Sequence, residues 1–175
     1  MEKIFIVAAK RTAIGKFLGS LSGFNPGELG ALVIKDMLKE TKIDPEKIDS
    51  VIVGNILSAG QAQGVARQCS IKAGIPVEVP AYSINMVCGS GMKAVMNGCS
   101  DIASGAAEVV IAGGTECMSG AGFVMPGSVR NGIKMGNIQA VDHMVCDGLT
   151  DAFNSYHMGI TAENIAQKYS ITREE

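Results

Sequence analysis

Ala81-Tyr82-Ser83-Ile84-Asn85-Met86-Val87-Cys88-Gly89-Ser90-Gly91 decides the fold, because a short run suited to a strand passes directly into the start of a helix. The helix is read from Met92, Val95, Met96, Cys99 and Ile102, an apolar set with three-and-four spacing that lasts until Gly105. Just beyond it, Glu108-Val109-Val110-Ile111-Ala112-Gly113-Gly114 reads as a strand ending in two glycines. Upstream, Val51-Ile52-Val53-Gly54-Asn55 reads as a buried strand, and Gln63 to Ala73 as a helix stopped by Gly74 and Pro76. Asn25-Pro26-Gly27-Glu28 carries an N-cap, a proline at the first helical position and a glutamate at the third, so a helix is expected to about Glu40. At the beginning, Ile4-Phe5-Ile6-Val7-Ala8-Ala9 has the continuous apolar character of a strand buried on both faces, central in its sheet. This alternation of strands and helices predicts an α/β protein with a parallel sheet, right-handed crossovers and ligands bound at the carboxyl ends of the strands.

After Gly114 the pattern changes. Met118 to Gly136 mixes Ser, Gly and Pro with Arg130 and Lys134 and lacks periodicity, so it reads as an extended loop opening a second subdomain. Ile160 to Ala166 reads as helix. Thr172-Arg173-Glu174-Glu175 is a capping box, the signal of a helix start, at the last residues of the sequence.

Cys88 lies where a strand turns into a helix, a place where backbone N–H groups and the helix dipole favour thiolate, and Gly89 and Gly91 allow a substrate to approach the backbone closely. The other cysteines, Cys69, Cys99, Cys117 and Cys146, are expected to be inert and buried. The same stretch also fits a dinucleotide fingerprint, Gly89-Ser90-Gly91-Met92-Lys93-Ala94, but in the third strand-helix unit, and the nearest acid, Glu108, precedes its strand. A serine elbow at Ser90 fails, since Cys88 and Met92 stand where its glycines belong. His143 and His157 are the two histidines available as a base, and both read more simply as packing or surface residues, so the base is sought elsewhere. Met92 and Met96 read as core of an amphipathic helix, Met158 as a wall of an apolar acyl pocket, and Arg130 and Lys134 as solvated charges.

Composition removes several classes. The 175 residues hold 15 Lys+Arg against 17 Asp+Glu, a net charge of -2 without like-charge blocks, so neither nucleic acid nor an anionic membrane surface is an expected partner. There is no run of 18 apolar residues, and Met1-Glu2-Lys3 leads into an apolar run too short for a secretory leader, so a cytoplasmic protein is expected. Five cysteines without a Cys-x-x-Cys pair give no zinc or dithiol site, and none of the patterns calls for a metal.

Four stretches together resemble the thiolase family: Ala8-Ala9-Lys10-Arg11-Thr12-Ala13-Ile14-Gly15, Asn85 to Gly91, Ala112-Gly113-Gly114-Thr115-Glu116-Cys117-Met118-Ser119, and Asp147 to Phe153 with Tyr156 to Asn164. The resemblance implies the N-terminal βαβαβαβ three-layer half of that fold over residues 1–118, and over residues 119–175 the beginning of an inserted loop domain for coenzyme A binding and tetramerisation. It implies acetyl-CoA C-acetyltransferase chemistry, with Cys88 as nucleophile and an acyl-thioester intermediate, two acetyl-CoA condensing to acetoacetyl-CoA and the reverse thiolysis. Leu149 and His157 would contact coenzyme A, Met158 the short acyl pocket, and the loop with Arg130 and Lys134 would serve a dimer of dimers. Coenzyme A is substrate and product, and no further cofactor is implied. Family members are more than twice as long and place an Asn motif, a Gly-His-Pro motif and a second Cys in a C-terminal half, so this chain is expected to need that half for activity. A non-catalytic coenzyme A-binding subunit or remnant is the alternative within the same family.

Overall fold

The computed structural model describes residues 3–175, so the charged start at Met1 and Glu2 lies outside it. The chain divides into two compact units, Met1–Ala121 and Gly122–Glu175.

In the first unit, helix α1 (Pro26–Thr41) begins at Asn25, whose side chain accepts from the Glu28 N–H at 2.9 Å while Glu28 accepts from the Asn25 N–H at 3.0 Å. Both partners of the capping box are thus satisfied, worth about 1 kcal/mol. Strand β1 (Ser50–Gly54) follows, then α2 (Val65–Ala73), β2 (Ala81–Ile84), α3 (Ser90–Ala103) and β3 (Val110–Gly114). The sheet order is β2-β1-β3 and both pairings are parallel, as the alternation of elements predicted. Helix α2 ends where Gly74 takes a φ of +91°, a left-handed C-cap that places the next turn. Strand β1 is central and buried along its whole length, and it joins Ile34 of α1, Ala66 and Cys69 of α2, and Ile75 and Val79 in one core.

Two expectations are corrected. Ile4 to Ala9 runs extended but joins no ladder, and Phe5, Ile6 and Val7 are 73%, 78% and 69% exposed rather than central in the sheet. This segment, α1, α3 and β3 line an apolar cleft of about 480 Å³. Strand β3 is an edge of the three-stranded sheet, and it and the Ile4 to Ala9 run both line the cleft without pairing. The stripe on α3 is also not core as drawn: Met92 and Met96 are exposed, and the buried positions are Ser90, Ala94 and Gly98. Small residues face the sheet because the helix lies very close to it. A Cβ at Gly98 would stand 3.0 Å from Val110 Cγ1.

The second unit holds β4 (Phe123–Val124) paired antiparallel with β5 (Val141–Asp142), a π-helical segment Met144–Leu149, and α4 (Met158–Tyr169). The stretch read as a featureless loop therefore contains one strand of a short ladder, whose partner lies beyond Gly136 and leaves no alternation in the sequence. The capping box at the last residues is formed, with the Thr172 N–H donating to Glu175 Oε2 at 2.9 Å and the Glu175 N–H to Thr172 Oγ1 at 3.4 Å. Among the described residues no helix is long and apolar enough to cross a membrane.

Candidate active site

Cys88 is an exposed free thiol one residue before Gly89, the N-cap of α3. Gly89 supplies no side-chain acceptor, so no cap side chain competes for the first-turn amides at the positive end of that helix. The turn that delivers the thiol is tightly bonded. Asn85 Oδ1 accepts from the Val87 N–H at 2.9 Å, Met86 O accepts from the Gly89 N–H at 3.0 Å, and Val87 O accepts from the Ser90 N–H at 3.0 Å. Ser90, itself buried, receives the Met86 N–H at 2.8 Å on Oγ and donates its hydroxyl to Val87 O at 2.5 Å. Within this turn Val87 takes a φ of +47°, which a β-branched residue rarely adopts.

The floor of the turn is backbone. A Cβ at Gly54, the end of β1, would fall 2.6 Å from the Ser90 carbonyl carbon and 2.7 Å from the Gly91 nitrogen. Gly91 in turn lies against Gly114 at the end of β3, where a Cβ on Gly114 would stand 3.3 Å from Gly91 Cα. Three glycines from β1, α3 and β3 thus bring the helix start onto the carboxyl ends of the strands. Gly91 occupies this helix-to-sheet contact, while Gly89 faces the end of the Met86 side chain, whose Cε would stand 2.5 Å from an added Cβ.

Glu116, just past β3, ties the end of β1 to the same region. Its Oε1 accepts from the Ile56 N–H, from the Leu57 N–H at 3.3 Å and from Asn55 Nδ2 at 3.2 Å, and Asn55 Nδ2 also donates to Thr115 O at 3.2 Å. A carboxylate that bonds two successive amides fixes the loop after β1. Ser90, Asn55 and Glu116 were not singled out as site residues from the sequence. The available signals were Asn55 directly after a buried apolar strand, and the place of Ser90 and Glu116 within two of the stretches that carry the family resemblance.

The remaining sequence-derived residues lie in the second unit. Thr150 and His157 form an antiparallel bridge, and the Asp151 N–H donates to Tyr156 O at 2.9 Å, so half-buried Leu149, one residue before Thr150, and exposed His157 both lie at the neck of one closed loop. His157 is the N-cap of α4: its Nδ1 accepts from the Gly159 N–H at 2.9 Å, and Met158 follows as the first helical residue, 36% exposed. His143 is buried, with Nδ1 2.5 Å from Asp147 Oδ2. Arg130 lies in a short 3-10 turn, Gly127–Asn131, and Lys134 follows it on an exposed stretch.

The thiols divide by environment. Cys69 is fully buried and its thiol is pushed up to about 11 by desolvation, which makes it inert near neutrality. Cys117 is buried too, but Cys99 and Cys146 are exposed, which corrects the expectation that they are interior. Cys99 lines the apolar cleft beside Ile4 to Thr12. The charge of the nearby Asp147 carboxylate raises the Cys146 thiol, helped by partial desolvation and by a hydrogen bond to the same carboxylate. Among the described residues no cluster of His, Cys, Asp or Glu could hold a metal ion.

The family model described as "Thiolase, N-terminal domain" matches residues 4–175. The chain is 56% identical over 175 residues to an acetyl-CoA acetyltransferase of Pseudomonas aeruginosa, covering 100% of this chain and 44% of that protein. It is 49% identical over 173 residues to a cytosolic acetyl-CoA acetyltransferase of Rattus norvegicus, covering 99% and 43%. The fold matches a thiolase from Ascaris suum, crystallised in complex with coenzyme A, with a TM-score of 0.86 and 40% identity over 94% of this chain and 42% of that one. The chain thus spans less than half the length of the relatives it matches.

Proposed function

Because this chain belongs to the thiolase family, matching its N-terminal domain over residues 4–175, we propose that it carries the nucleophile of an acetyl-CoA C-acetyltransferase. One observation carries the reading: Cys88 alone of the five thiols is exposed on a strained strand-to-helix turn at the carboxyl end of a parallel sheet. The Cys88 thiolate attacks the thioester carbonyl of acetyl-CoA, forming an S–acetyl bond and expelling coenzyme A as its thiolate, which takes up a proton. A second acetyl-CoA, deprotonated at its methyl carbon, attacks the acetyl-enzyme, forms the new C–C bond of acetoacetyl-CoA and returns the Cys88 thiolate. Thiolysis is the same sequence reversed. Exchange of one thioester for another is nearly isoenergetic, so the barrier lies in the oxyanions, which backbone amides at the glycine-lined helix start can meet.

The base that removes the methyl proton and the acid that protonates coenzyme A are assigned to a C-terminal half of the complete protein. His143 is held by Asp147 and His157 Nδ1 is occupied by the cap of α4, which supports that assignment. Residues 119–175 are read as the start of a loop domain, with Leu149, His157 and Met158 toward coenzyme A and its acyl group, and Arg130 and Lys134 toward a dimer of dimers. A cytosolic location is supported by the name of the rat relative.

The test is to mix the complete protein with acetyl-CoA and measure intact mass. One acetyl group located on Cys88 by peptide mapping is expected. Cys88→Ser should lose acetylation and turnover together, and unchanged turnover in that variant would end the proposal.

A further inference from the structure

We propose that Ser90 is a positioning residue for the Cys88 nucleophile, its hydroxyl fastening a turn whose backbone strain would otherwise relax and withdraw the thiol. The inference rests on the reading of Cys88 as nucleophile. Val87 adopts a φ of +47°, and a valine there is disfavoured both by its Cβ and by its branched side chain. Such a conformation persists only where its surroundings over-determine it. Two side chains do so from opposite sides: Asn85 Oδ1 holds the Val87 N–H at 2.9 Å, and Ser90 Oγ holds the Val87 carbonyl at 2.5 Å. Ser90 also takes the Met86 N–H at 2.8 Å, so one hydroxyl bridges the two peptide groups that enter the turn.

The hydroxyl is well placed to act as a fixed anchor. Ser90 is 4% exposed, and β1 backs it so closely that a Cβ on Gly54 would lie 2.7 Å from Ser90 Cβ. Its support is therefore the end of the central strand. Cys88, between the two bonded peptides and the helix, inherits that rigidity while remaining exposed. The hydroxyl is the wrong group to be a nucleophile here, since both its donor and one acceptor lobe are engaged by backbone.

The experiment compares wild-type complete protein with Ser90→Ala, following alkylation of each cysteine by iodoacetamide with peptide mass mapping between about pH 6 and 9. Cys99, exposed on the same helix, is the internal reference. Loss of a bond worth about one order of magnitude should slow Cys88 alkylation relative to Cys99 by about tenfold and lower kcat with little change in KM. Adding Val87→Gly to Ser90→Ala should restore part of the Cys88 rate, because glycine holds a left-handed φ without the anchor; a packing role for Ser90 would not be relieved at that position. An unchanged Cys88-to-Cys99 ratio in Ser90→Ala, or no recovery in the double variant, overturns the proposal. If Ser90→Ala does not fold, amide exchange at Met86 in the wild type decides: slow exchange supports the bond to Ser90, and exchange at the unprotected rate refutes it. Turnover retained in Cys88→Ser would remove the nucleophile reading instead, and the alkylation ratio would still report on the turn.

Discussion

The place of Cys88 between strand and helix was legible because it is a matter of local sequence, and the thiol stands there exposed, one residue before the N-cap of α3. What surrounds it was not legible. The bond from Ser90 back to Met86 and Val87 spans only four residues, yet it depends on Val87 taking a φ of +47°, which no side-chain pattern announces. Glu116 reaches amides some sixty residues earlier, and only the folded sheet brings those segments together. A second carboxylate offers a pH test. Asp49 Oδ2 accepts from the Val109 N–H at 2.9 Å and the Glu108 N–H at 2.7 Å, and these bonds hold its carboxyl below the ordinary range. A depressed folded-state pKa stabilises above the unfolded value of about 3.9 and loses that contribution as pH falls through the folded value. Asp49→Asn should therefore lower Tm near neutral pH, with the difference from wild type shrinking below about pH 4. A difference that stays constant down to pH 2 would show that the charge is not what matters.

At the scale of elements, the sequence revealed strands and helices wherever period and caps agreed. Helix α1 begins at its capping box and ends at Thr41, one residue from the expected stop; β2 and β3 lie inside the runs that predicted them, and β1 is offset by one residue from its run. The failures have a common physical origin in contacts remote in sequence. An apolar run of strand length states only that a segment can be buried, and Ile4 to Ala9 has no ladder partner in the described residues. On α3, three-and-four spacing located the helix but not its buried face, because Gly98 and Ala94 allow an approach too close for methionine. The same closeness makes Gly54→Ala a sharp test of the joint between β1 and α3. Its new Cβ would meet backbone at 2.6 and 2.7 Å, and backbone cannot rotate aside. Overpacking of this kind costs about 1–3 kcal/mol, so thermal melting of the complete protein should shift down by several degrees, and Cys88 alkylation should change with it. Wild-type Tm and wild-type alkylation together would show that the contact is slack.

For the whole molecule, the apolar surface left uncovered is the dominant fact. Phe5, Ile6 and Val7 flank a cleft of about 480 Å³, and Ile14, Met92, Phe123, Met135 and Phe153 are also largely exposed. Monomeric soluble domains rarely leave a large apolar patch uncovered, and the Phe5-Ile6-Val7 segment beside the cleft is one. The 175 residues expressed alone should therefore self-associate, bind a hydrophobic dye and unfold without a single sharp transition, read by light scattering and calorimetry. A monodisperse monomer that unfolds cooperatively would overturn that expectation. The cleft also has a consequence for biosynthesis. Ile4 to Thr12 are synthesised well before the last of the other residues that line their cleft, which extend to Glu116. At about 5–20 residues per second, the opening segment waits on the order of 5 to 20 s before those walls exist. Throughout that interval a run of six apolar residues, Ile4 to Ala9, is displayed on a nascent chain before its partners are made, and a holdase chaperone is expected to engage it there.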